Sequence, residues 1–195
     1  LEMQAAELRK ACPGVRLNLS VMDLSDADSV LSAYQSNQKA LGPVTVLVNN
    51  AGQALSQPFA KTDLQLWQHM LSVNLTGTYL CMQAALPDLL AQGAKGHAAR
   101  IVNIASTASF QPVPGMAVYG ATKAFVRSFT EALWGELGTS KVRVLAVSPG
   151  ATESEFFIVA GGKPSGKAVP ATVVVEKTFS ALEKNTPSVV VGGAN

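Results

Sequence analysis

Short β-branched runs alternate with longer stretches of helical period along nearly the whole chain, and this alternation is the strongest constraint on its fold. Runs of Val, Ile and Leu without polar interruption suit strands buried on both faces, and intervening helices supply the cover. The runs at 15–22, 44–48, 100–104, 141–147 and 188–191 are expected to be strands. Helices are expected before Cys12-Pro13-Gly14, from Ser25-Asp26-Ala27-Asp28 to about Leu41, from Thr62-Asp63 to about Ala91, over 116–137 and over 170–184. The pattern reads as an α/β, doubly wound parallel sheet with helices on both faces, one domain spanning 1–195. A glycine-rich segment around Gly161, with Gly162, Pro164 and Gly166, lies between a strand and the last helix, where a substrate lid would sit.

A chain of 195 residues that is 48% hydrophobic can bury one substantial core. Charged residues make up 14% and the formal net charge is +2, which leaves no basic field of the kind nucleic acid binding uses. The apolar runs are strand-sized, well short of the roughly 20 residues of a membrane span. Cys12 and Cys81 have no CxxC spacing, so a reducing cytoplasm is the expected setting. His69 and His97 stand far apart with no metal-binding spacing, and no metal site is expected.

Tyr119 and Lys123 are four residues apart on an expected helix, so both side chains leave the same face about one turn apart. An ammonium beside a phenol favours the phenolate and lowers the pKa toward a range useful for proton transfer. Taken alone, the pair is more often a packed ring and a solvated charge. Its surroundings change the balance: Ser106 lies just beyond the strand at 100–104, at the carboxyl edge of the sheet, where doubly wound folds bind their ligands.

Asn49-Asn50-Ala51-Gly52, Val73-Asn74-Leu75, Ser106, Tyr119-Gly120-Ala121-Thr122-Lys123 and Ser148-Pro149-Gly150 occur in an order and spacing that resemble the short-chain dehydrogenase/reductase family over nearly the whole chain. The resemblance implies hydride transfer between a nicotinamide cofactor and a carbonyl or alcohol carbon of a small-molecule substrate. Tyr119 would then be the acid/base, Ser106 would bind the substrate oxygen, and Lys123 would bond the nicotinamide ribose and depress the Tyr119 pKa. Asn74 would kink its helix and hold a water linking Lys123 to solvent. On the same basis Asp23 and Leu24 would contact the adenine, while Asn50, Ala51 and Gly52 would lie against the adenosine ribose. Pro149 and Gly150 would face the nicotinamide, and Thr152 and Ser154 would bond its carboxamide and the phosphate. NADP is favoured over NAD by the likeness of 185–192 to a reductive bacterial branch of the family. The family also implies a homodimer or homotetramer, built on the helices that hold Asn74 and Tyr119.

Pro112, Val113, Met116, Phe156, Phe157 and Ile158 are expected to line an apolar substrate pocket. The glycine-rich phosphate turn that normally opens the family's pattern does not occur in this sequence. The chain is therefore expected to be a fragment of a longer polypeptide that lacks its first β-α-β portion. The alternative is a non-catalytic relative that acts through protein contacts.

Overall fold

The computed structural model describes residues 2–161 and 168–192, without the side chains of residues 157 and 158. Four strands, β1 (Val46–Asn49), β2 (Ala99–Ile104), β3 (Val142–Pro149) and β4 (Ser188–Val191), form one parallel sheet in the order β1-β2-β3-β4. Helices α1 (Glu2–Ala11) and α2 (Ala27–Leu41) precede the sheet; α3 (Leu64–Leu71) and α4 (Thr78–Ala94) lie between β1 and β2. α5 (Ala117–Glu136) connects β2 to β3, and α6 (Phe156–Val159) and α7 (Ala171–Glu183) connect β3 to β4.

The period of two along each strand sorts its side chains to opposite faces. Ile101 and Val144 pack with Met82, Ala85 and Leu89 of α4, with Phe129 and Leu133 of α5 against them. Val102, Leu145 and Val147 point the other way, onto Ala181 and Leu182 of α7. Helices thus cover both faces, which suits strands rich in Val, Ile and Leu on either side. The expected doubly wound α/β architecture is what the chain adopts.

Local chemistry sets the helix starts. Asp26 caps α2 by accepting from Asp28 N, and Asp63 caps α3 by accepting from Leu66 N. The long helical stretch expected from Thr62 is interrupted: a π turn over Ser72–Gly77 joins α3 to α4. Two further expectations need correction. Segment 15–22 is not a strand, because no described strand lies beside it to supply a ladder; Val21 is 89% exposed and the backbone runs as irregular coil. The region after β3 includes the short helix α6 as well as a loop, while the proposed lid falls mostly on residues 162–167, outside the described residues.

Candidate active site at the carboxyl edge of the sheet

The ends of β1, β2 and β3 bring three loops to one edge, and α5 presents its first turns to them. Tyr119 and Lys123 lie on the inward face of α5, with only 7% and 5% of their surface accessible. The Lys123 ammonium donates to the Ile104 carbonyl at 2.7 Å, the last residue of β2, and stands 5.8 Å from the centre of the Tyr119 ring. Burial pulls Lys123 down from its ordinary value of 10.5 to about 8. It also pushes Tyr119 up, with the Ser106 hydroxyl acting in the opposite direction. Withdrawal of the phenol from water outweighs the Ser106 bond, no lowering by Lys123 is among the causes of the shift, and Tyr119 is held as a phenol at pH 7.

Ser106 occupies the second position after the strand end, with extended backbone, and caps the short 3-10 turn Thr107–Ser109 by accepting from Ala108 N at 3.1 Å. The same hydroxyl thus serves as a cap, the ordinary role of a serine after a strand, and lies beside Tyr119. Phe156 of α6 packs on Tyr119, with ring centres 5.6 Å apart. The side chains of Phe157 and Ile158, also expected in the pocket, lie outside the described ones.

Asn74 is buried inside the π turn, and its carboxamide forms a reciprocal clamp with the loop after β1. Its Oδ1 accepts from Gln53 N at 2.7 Å; its Nδ2 donates to Gln53 O at 2.8 Å and to Thr122 Oγ1 at 3.0 Å. The π turn thus interrupts the helix expected to run through Asn74. Gly52 closes the same corner. A Cβ there would lie 3.3 Å from Lys123 Nζ and 3.5 Å from Asn74 Oδ1, so the absence of a side chain lets the 50–52 turn meet the lysine.

Leu24 meets the π turn through a contact that the sequence did not announce. Gly77, at the end of the π turn, packs so closely that a Cβ would fall 2.7 Å from Leu24 Cβ and 2.9 Å from Leu24 O. The Asp23 carboxylate accepts from Ser25 N and Ser25 Oγ, and those bonds hold its pKa below the ordinary carboxylate value. On the far side, Gly150 N donates to Val191 O, Thr152 Oγ1 donates to Gly150 O, and Thr152 bridges to Val169. Pro149 and Gly150 therefore stand at the end of β3 as expected, whereas Ser154 is exposed and donates only to Thr152 O, at 3.4 Å.

The edge thus brings together Asn74, Ser106, Tyr119, Lys123 and the turn at Asn50, Ala51 and Gly52. Sequence reasoning missed Gln53, Thr122, Gly77 and Asn103. Asn103 is fully buried; it accepts from Asn49 Nδ2 across the β1–β2 register and donates to Thr130 of α5. Its signal was an amide in mid-strand, a costly place unless both ends are bonded. Gln53 acts through its backbone, which leaves no mark in side-chain chemistry. Among the described residues, no group of three His, Cys, Asp or Glu could hold a metal ion, and no helix is long and apolar enough to cross a membrane.

Comparison with known proteins agrees with this geometry. Residues 1–161 match the family model described as short chain dehydrogenase, and the chain belongs to that family. It is 42% identical over 149 residues to sulfoacetaldehyde reductase 2 of Chromohalobacter salexigens, an alignment covering 76% of this chain and 58% of that protein. It is 37% identical over 163 residues to serine 3-dehydrogenase of Agrobacterium fabrum, covering 83% and 61%. Among solved structures, a short-chain dehydrogenase of Sphingobium yanoikuyae in complex with NADPH aligns with a TM-score of 0.86 and 28% identity, over 97% of this chain and 73% of that one. The chain spans about three fifths of the length of these curated relatives.

Proposed function

We propose that the protein is an NAD(P)-dependent oxidoreductase that interconverts a carbonyl and an alcohol, with Tyr119 as acid/base. The carrying observation is the buried pair Tyr119 and Lys123 beside Ser106, braced by the Asn74–Gln53 clamp. When bound, the nicotinamide cofactor supplies or accepts the hydride; the protein handles the proton. The Tyr119 hydroxyl donates its proton to the substrate oxygen in reduction and takes it back in oxidation. Ser106 Oγ holds that oxygen, fixing the carbonyl against the phenol. Lys123 bonds the nicotinamide ribose and replaces the Tyr119 proton, and Asn74 keeps the lysine end open to a water.

The residues present suit such a cofactor. The small turn at Asn50, Ala51 and Gly52 leaves backbone open at the edge, and Lys123 points its donors at that corner. Asp23 and Leu24 would hold the adenine end; Pro149, Gly150, Thr152 and Ser154 would hold the nicotinamide end. Related structures are described with NADPH, NADH and NADP, which supports the nicotinamide class. The substrate is a small carbonyl compound or alcohol, received beside Phe156, Val113 and Met116. The proposal extends to one domain, a cytoplasmic setting and a homodimer or homotetramer.

Fluorescence titration of the full-length protein with NADPH and NADH tests the cofactor, and absence of binding by both returns the reading to a non-catalytic relative. Tyr119→Phe is expected to lower carbonyl reduction about 100- to 10,000-fold while cofactor binding persists. Full activity in that variant would remove Tyr119 from the mechanism.

A further inference from the structure

At the opposite edge of the sheet, where β2 and β3 begin, a cavity of about 400 Å³ opens among Gly96, His97, Arg100, Trp134, Lys141, Arg143 and Asn185. It lies about 20 Å from the Ser106 corner, judged from the length of β2 at about 3.3 Å per residue. Arg100 and Arg143 are register partners on adjacent parallel strands, so their side chains leave the same face side by side. Like charges in that relation repel. Arg143 spends Nη1 on the carbonyls of Leu182 and Glu183 at the end of α7, at 2.6 and 3.3 Å. Among the described residues, the Arg100 and Lys141 side chains take part in no hydrogen bond or ion pair. Glu136 and Glu183, in the last turns of α5 and α7, pair with none of the three cations.

A structural role accounts for only part of this charge. Helix C-termini carry about half a negative charge each, and Arg143 meets that of α7. The C-termini of α4, α5 and α7 together offset about half of the three positive charges, and neither Glu136 nor Glu183 reaches Arg100, Lys141 or Arg143. The rim is also held in left-handed backbone: Lys141 at φ 61°, Asn185 at φ 52° and Gly96 at φ 83°. Trp134 closes the wall, with its indole Nε1 donating to Asn185 O at 3.2 Å. A doubly charged oxyanion set between two guanidinium groups would accept from both and cancel their repulsion.

We propose that this cavity binds a phosphate group, held by Arg100 and Arg143 with Lys141 at the rim, remote from the oxidoreductase site. Trp67 and Trp134 are the only two tryptophans, so Trp67→Phe leaves Trp134 as a reporter in the wall of the cavity. In that background, inorganic phosphate and, separately, glycerol phosphate are titrated into the full-length protein against chloride at matched ionic strength. The expected result is a saturable change in Trp134 emission and a higher Tm in phosphate than in chloride. Equal affinities identify free phosphate as sufficient; a much tighter glycerol phosphate identifies an esterified ligand. Arg100→Gln, which removes no bond among described residues, should weaken binding at least about tenfold and should melt no earlier than the parent in phosphate-free buffer. No saturable response, or an unchanged response in both Arg100→Gln and Lys141→Gln, overturns the proposal whether or not the protein turns over a carbonyl.

Discussion

Lys123 shows most directly how single residues trade stability for chemistry. Its pKa is about 8 in the folded chain against 10.5 when unfolded, so folding favours the neutral amine. That preference costs stability wherever the ammonium must be carried, below about pH 8, and the cost fades as pH rises toward 10.5. Tyr119 and Tyr34 carry the opposite sign, since burial raises both and folding holds them as phenols. Stability should therefore climb from pH 8 to about 10 and fall above it, as read by Tm across a pH series. Lys123→Met should abolish the climb and raise stability at pH 7 by on the order of 3 kcal/mol, less the bond to Ile104 O, while abolishing the proposed activity. At this scale the sequence was legible where side chains mark the site, since Tyr119, Lys123, Ser106 and Asn74 do come together. It was silent where backbone does the work, as in Gln53, or where two bonded amides must be seen together, as in Asn49 and Asn103.

Among the elements, the helical stretch after Thr62 was legible in its extent but not in its break. A hydrophobic period cannot register a π turn, because both flanking segments keep α geometry and their own apolar faces. Segment 15–22 failed for the converse reason: its composition suits a strand, but strand formation depends on a neighbour that composition does not contain. Gly77 joins the two regions, because Leu24, just after that segment, rests directly on it. Gly77→Ala would gain up to about 1 kcal/mol in helix propensity. The overlap with Leu24 backbone should outweigh that gain, for a net loss of about 1–3 kcal/mol by urea titration. Because Leu24 would be displaced, the Kd for the nicotinamide cofactor should rise in parallel; unchanged binding would separate Leu24 from the cofactor.

For the whole molecule, the two sheet faces hold separate apolar clusters, and much of α5 beyond them is still apolar. Phe125 and Phe129 stack with ring centres 5.4 Å apart, and Phe125 is half exposed, as is Tyr79 on α4. The proposed assembly through these helices predicts a light-scattering mass that is a multiple of the chain's, and Phe125→Asp should shift it toward the monomer. An unchanged mass would place the contact elsewhere. One consequence of the π turn belongs at this scale too. Such a turn takes up one residue more than the α-helix around it, so the chain carries a surplus residue between two helices whose packing does not call for it. Removing one residue from 72–77 would restore an ordinary helix with α3 and α4 still facing their partners, but would withdraw Asn74 from the Gln53 loop. Length in this short stretch is therefore constrained by the Asn74–Gln53 clamp, and a one-residue deletion that keeps the fold should abolish the proposed activity.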